Sequence, residues 1–179
     1  MLLQSGTIER AELQQILADI RRDDLRASEV IRRLRALLAR HEVERRRFSP
    51  DMALEDAVHI LAAEARRRGV TVETALNAAD AEILGDPVQI QQVIVNLALN
   101  AFDAVSNLPP DRRRVRFGST DTAIGLQITV RDFGSGIATA DLPRLFDPFF
   151  TTKSTGMGLG LSIVRSIIEA HGGTIVAAN

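Results

Sequence analysis

The sequence contains no cysteine, which excludes a disulfide framework and any cysteine–zinc centre. It contains no tryptophan or tyrosine, and aromatic residues make up only 4% of the chain, so intrinsic fluorescence is a poor reporter for this protein. No apolar run approaches the ~18 residues expected of a membrane span, and no signal-peptide pattern is visible. An excess of one charge is missing too: the formal net charge of −1 argues against a global footprint for nucleic acid or for membranes. These absences predict a cytoplasmic, reducing setting, with no nucleic-acid partner and no direct membrane contact by this stretch of chain. They leave open a membrane anchor elsewhere in a longer protein.

What is present is enough for a core. With 179 residues, 45% of them hydrophobic, the chain suits one globular domain plus an appendage. Arginine crowds the first part, in runs at 21–22, 32–33, 45–47 and 66–68. Residues 7–47 hold neither proline nor glycine, and apolar side chains recur there at Leu13, Ile16, Ile20, Ala27, Ile31, Leu34 and Leu38. That three-four spacing predicts one long helix with a coiled-coil-like seam, its arginines forming a solvated face. The predicted division is therefore 1–47, a helical segment, and 48–179, a mixed domain.

Within 48–179, Ser49-Pro50 should start a helix that Gly69 ends. Strands are expected at 70–76 and 82–84, and Asp86-Pro87 should begin a helix reaching about 107. Two strands, 112–119 and 124–131, should turn at Asp121-Thr122. A glycine-rich stretch holds one short helix near 141–145; a helix at 159–170 and a strand at 174–178 follow. The pattern is not a regular βαβ alternation. It predicts an α+β fold, with helices layered on one face of a mixed sheet.

Four short segments carry chemistry. In the first, Asn96, Asn100 and Asp103 share one face of an otherwise apolar helix, where unpartnered burial would be costly. A cation together with phosphate would satisfy such oxygens; solvated surface residues are the plainer reading. In the second, Asp132 ends a strand before Gly134 and Gly136. A carboxylate there can accept from an exocyclic amine and glycines let backbone approach a flat base, although an ordinary turn has the same look. The third segment runs from Leu145 to Lys153 and clusters Phe146, Phe149 and Phe150, which also suits a core; Lys153 adds a point charge able to reach phosphate. The fourth, Gly156-Met157-Gly158-Leu159-Gly160-Leu161, opens an apolar helix, and free N–H groups at a helix start attract anions. It is neither a dinucleotide fingerprint nor a P-loop.

In this order, the segments resemble the N, G1, F and G2 boxes of the ATP-binding domain of sensor histidine kinases, a fold shared with DNA gyrase, mismatch-repair ATPases and heat-shock chaperones. The resemblance covers roughly 48–179. It implies a Bergerat-type two-layer α/β sandwich preceded by the second helix of a dimerisation hairpin. It implies ATP or ADP as ligand and Mg²⁺ as cofactor, with Asn100 as the metal ligand and Asn96 beside it. By the same resemblance, Asp132 recognises adenine. Asp103, Gly134, Gly136, Lys153, Gly156, Gly158, Leu159, Gly160 and Leu161 complete the nucleotide site, with a very short lid at 154–155. Asn96, Asn100 and Lys153 would surround the transferred phosphoryl group.

The implied partners are a second copy, through the N-terminal helix, and the receiver domain of a response regulator. A clamp-driving ATPase of the same fold is the alternative, but it would need a glutamate where Asn96 stands. A non-catalytic nucleotide module is the other. His41 has the acidic neighbour of a phosphoacceptor but lacks the following proline, so the acceptor is expected on a helix upstream. His59 and His171 are expected to be structural.

Overall fold

The computed structural model describes residues 16, 44–123, 125–153 and 156–179. The chain divides into two compact units, Met1–His41 and Glu42–Asn179. In the first unit only Ile16, which is helical, is described; the expected long helix, its dimerisation seam and His41 lie outside the described residues. The second unit runs β1 (Arg46–Phe48), α1 (Pro50–Arg68), β2 (Thr71–Asn77), β3 (Ile83–Gly85), α2 (Pro87–Val105), β4 (Arg114–Thr122), β5 (Gly125–Asp132) and α3 (Gly160–Ala170).

Local signals set the helix ends. The Ser49 hydroxyl accepts from the Met52 N–H, Pro50 fills the first turn of α1, and Gly69 closes it. Asp86 Oδ1 accepts from the N–H groups of Val88 at 2.9 Å and Gln89 at 3.3 Å, and Pro87 begins α2. His171 pins this cap from the far end of the chain. Its Nε2 accepts from the Asp86 N–H at 2.9 Å while Nδ1 meets the Ile167 carbonyl at 2.8 Å, so the histidine is structural.

Three strands form a mixed sheet in the order β2-β4-β5, with β2 parallel and β5 antiparallel to β4; β1 and β3 form a separate antiparallel pair. In this unit α1 and α2 pack against the sheet, and α3 packs against α2. Val115 and Phe117 of β4 point into the core and alternate with the exposed Arg114 and Arg116. Leu54 of α1 and Ile94, Phe102 and Val105 of α2 close over them, each fully buried. Alanines 53, 57 and 65 of α1 and 98 and 101 of α2 are also in the core, and their small side chains let elements approach closely. One buried polar knot joins the layers: the Ser119 hydroxyl donates to Asp51, which also accepts from the Ala78 N–H at 3.2 Å. This is the expected α+β two-layer architecture. Among the described residues, no helix is long and apolar enough to cross a membrane.

The structure departs from expectation in three places. Residues 46–48 are a strand rather than the end of a helix, held by pairing with β3, and the compact unit starts at Glu42. The β4–β5 turn falls after Thr122, which pairs with Gly125, not at Asp121-Thr122; Gly125, with φ +129°, supplies the turn conformation. Residues 174–178 are not a strand. Among the described residues no backbone hydrogen bond joins them to a neighbour, and only the Asn179 side chain is fastened, to the N–H and carbonyl of Ile137 at 2.8 Å each.

Core and surface substitutions should separate cleanly. Phe102→Ala should cost about 3–5 kcal/mol in urea unfolding followed by circular dichroism. Ile60→Ala, at a position 58% exposed, should change stability by no more than about 0.5 kcal/mol.

Candidate functional site

Burial of Ile90, Val93, Ile94, Ala98, Ala101, Phe102 and Val105 fixes the rotation of α2 and turns its polar face away from the core. On that face the Lys153 ammonium donates to Asn100 Oδ1 at 3.0 Å and to Asp103 Oδ2 at 2.6 Å. The other carboxylate oxygen of Asp103 accepts from Arg68 Nη1 at 2.5 Å, and Arg68 Nε donates to Glu64 Oε1 at 2.5 Å. Glu64 also takes two bonds from Arg67. Burial acts to raise the pKa of Asp103, but the hydrogen bonds from Lys153 and Arg68 outweigh it and hold the carboxyl below its ordinary value. Glu64 is lowered to about 2, chiefly by its hydrogen bond from Arg67, against a smaller opposing effect of burial and with help from Arg68.

The glycine segment is built onto the phenylalanine segment. The Phe149 N–H donates to the Gly158 carbonyl at 3.0 Å. Gly158 has φ +67°, and a Cβ there would stand 2.3 Å from the Phe149 carbonyl carbon and 2.5 Å from the Phe150 oxygen. Only glycine fits that backbone-on-backbone contact. Phe149 itself has φ +67° and is 74% exposed. Neither Phe146 nor Phe150 is buried, so these rings are not a core cluster; Phe150 stacks under the Arg144 guanidinium at 4.7 Å. Gly156 lies against Thr151 and Lys153. Residues 154 and 155, the expected lid, lie outside the described residues. The segment then enters α3, whose cap residue Leu159 contributes no side-chain bond, and a Cβ on Gly160 would meet nothing within 4 Å. Among the described residues, the α3 N-terminus is thus uncapped by side chains and has open space beside Gly160, as an anion cradle requires. Leu161 lies in its first turn.

Asp132 ends β5, and its Oδ1 accepts from the Gly134 N–H at 2.9 Å, leaving Oδ2 without a hydrogen bond among the described residues. Gly134 is a second place where only glycine fits, because a Cβ would lie 2.7 Å from the Ala104 carbonyl oxygen at the end of α2. The strand-end turn is therefore pressed onto the same helix that carries Asn100.

The first segment lies on α2, and the other three touch it or one another. Lys153 meets Asn100 and Asp103, Gly134 meets Ala104, and Gly158 meets Phe149 and Phe150. Two expected site residues are placed otherwise. The half-buried Asn96 makes no side-chain hydrogen bond among the described residues, and Gly136 meets the side chain of Asn179. Two open grooves lie along the sheet, one beside Arg116 and Arg131 and one beside Arg114 and Phe133; neither is lined by Asn100, Asp103 or Lys153. Sequence reasoning missed Arg68 and Glu64, which sit in an arginine run that reads as solvated. Their (i, i+4) spacing was the one available signal.

Among the described residues, no group of three or more histidine, aspartate or glutamate side chains could cage a metal. The donor chemistry nevertheless fits a hard cation, since an amide oxygen and a carboxylate oxygen already converge on one positive charge at Lys153. Magnesium commonly takes one or two protein oxygens and completes its shell from phosphate and water.

The family described as "Histidine kinase-, DNA gyrase B-, and HSP90-like ATPase" matches residues 85–179. The chain is 46% identical over 154 residues to the sensor protein FixL of Bradyrhizobium diazoefficiens, covering 86% of this chain but only 30% of FixL. The catalytic domain of the histidine kinase ThkA superposes with a TM-score of 0.63 at 28% identity, covering 72% of this chain and 82% of that one. ThkA in complex with the response regulator protein TrrA gives a TM-score of 0.66 at 22% identity, covering 96% of this chain and 47% of that one; this is likeness of fold alone. The chain thus spans less than a third of the length of FixL.

Gly158→Ala should break the contact with Phe149 and Phe150, read as shifts of their assigned amide signals, while leaving the core melting transition nearly in place. The depressed carboxylate predicts the direction of acid sensitivity. Glu64 stabilises the fold fully above its ordinary value of 4.5 and progressively less as pH falls towards about 2. Urea midpoints measured through that window should decline less steeply in Glu64→Gln than in the wild type.

Proposed function

The chain belongs to the histidine kinase-, DNA gyrase B- and HSP90-like ATPase family, and on that premise we propose that it is the ATP-binding catalytic portion of a two-component sensor histidine kinase. The observation that carries this reading is the convergence of Asn100, Asp103 and Lys153 on α2, together with an α3 N-terminus that no side chain caps among the described residues. ATP or ADP is the ligand. Asp132, through the oxygen left without a hydrogen bond among the described residues, accepts from the adenine amine, and Gly134 lets the backbone approach the base. The turn at Gly156, Gly158 and Gly160 and the first N–H groups of α3 hold the phosphates, with Leu159 and Leu161 flanking them. Asn100 would hold Mg²⁺, with Asn96 beside it, and the metal when bound neutralises phosphate charge. Lys153 adds a positive charge on the phosphate side.

Catalysis on this reading is positioning and charge stabilisation. The γ-phosphoryl group passes to a histidine nitrogen on a dimerisation helix and from there to an aspartate on a response-regulator receiver domain. Asn96, an amide that cannot act as a base, stands where a clamp ATPase would need a glutamate. We further propose a homodimer through the N-terminal segment and a cytoplasmic setting.

Calorimetry tests the nucleotide site. ATP and ADP should bind with Mg²⁺ dependence and GTP much more weakly. Asn100→Ala should remove the metal-dependent part, about tenfold or more in affinity. Asp132→Asn should bring ATP and GTP close together. Equal affinity of the wild type for ATP and GTP would refute the adenine role. Radiolabelled ATP should leave no histidine label on this chain alone but should label a supplied acceptor-helix fragment. Rapid steady-state hydrolysis without an acceptor would instead favour the clamp ATPase.

A further inference from the structure

Lys153 occupies an unusual place for a residue expected to bind phosphate. Its ammonium touches no backbone oxygen among the described residues; it donates to Asn100 Oδ1 and Asp103 Oδ2 at once. Those oxygens belong to side chains three residues apart on a helix whose rotation the core has fixed, so they form a preset two-oxygen seat. The remaining Asp103 oxygen is taken by Arg68, itself braced by Glu64. A carboxylate held this way keeps Oδ2 aimed at one spot, and Lys153 fills that spot.

We infer that Lys153 is a built-in competitor of the divalent metal: its ammonium takes the seat formed by Asn100 and Asp103, so that metal binds there only when a nucleotide's phosphates draw the ammonium away. This rests on the nucleotide-site reading above. The reasoning is electrostatic. A divalent ion on Asn100 Oδ1 would lie within a few ångströms of Lys153 Nζ, and at that distance like charges repel strongly in a half-buried site. Phosphate oxygens remove the conflict, because they provide the ammonium with a stronger acceptor and the metal with further ligands. The consequence is an order of events. Free metal is refused, metal and nucleotide are accepted together, and Lys153 moves from α2 to phosphate as they bind. Asp103 is on this account a positioning residue that holds Lys153, not a direct nucleotide contact.

The test uses the intact chain without nucleotide and Mn²⁺ as the probe, read by paramagnetic broadening of assigned amide signals. Lys153→Met should bind Mn²⁺ about tenfold or more tightly than the wild type, with broadening centred on Asn100 and Asp103. Adding Asn100→Ala to that variant should abolish the gain. Lys153→Arg, which keeps the charge, should restore the weak binding of the wild type; a purely structural effect of the substitution would not be rescued by charge. Equal Mn²⁺ affinity of wild type and Lys153→Met, or broadening centred elsewhere, overturns the inference. Mg·ADP calorimetry on both proteins separates the two claims. Normal ADP binding with unchanged Mn²⁺ affinity refutes the competition alone, and absent ADP binding in both refutes the nucleotide-site reading while the Mn²⁺ result still decides the competition.

Discussion

Burial of the apolar face of α2 is the constraint from which the rest follows. Ile94, Phe102 and Val105 are fully enclosed against α1 and the inner face of β4, so α2 cannot rotate without unpacking the core. Each side chain of this kind contributes about 1.5–3 kcal/mol when buried, whereas the polar contacts on the opposite face are half-exposed and individually weaker. Packing therefore decides where Asn100 and Asp103 point, and the charges assemble on a platform they did not build.

On that platform, the charges are arranged in series. Glu64 holds Arg68, Arg68 holds one oxygen of Asp103, and Asp103 with Asn100 holds Lys153. The two glycines that only glycine can satisfy perform a related task by sterics. Gly134 presses the end of β5 onto the last turn of α2, and Gly158 joins the phenylalanine segment to the start of α3. Segments far apart in sequence are thus gathered around one helix by two different means, close backbone approach and charge pairing.

Much of this was legible in the sequence, for reasons that are local. Ser49-Pro50, Gly69 and Asp86-Pro87 set helix ends through bonds to residues within a few positions, and the spacing of Asn100 and Asp103 is readable from helical geometry alone. What was not legible depends on distant partners. Residues 46–48 continue an arginine-rich helical pattern and become a strand only because β3 is there to pair with them. Residues 174–178 have strand-like composition, yet no ladder to β5 forms among the described residues. Arg68 looked like one of three solvated arginines, and nothing local announces that its partner is Asp103, 35 residues away. The contact between Lys153 and α2 was hidden for the same reason.

The most direct test of the central claim, that α2 is the platform of a magnesium–nucleotide site, is a crystal structure of this chain with Mg²⁺ and a non-hydrolysable ATP analogue. The account predicts the metal on the Asn100 oxygen and the adenine amine at Asp132. It also predicts phosphates at the start of α3, and Lys153 moved from Asn100 to a phosphate oxygen while the core of α2 stays where it is. An analogue bound elsewhere, such as on the arginine-rich outer face of the sheet, or a metal that makes no contact with Asn100, would contradict it.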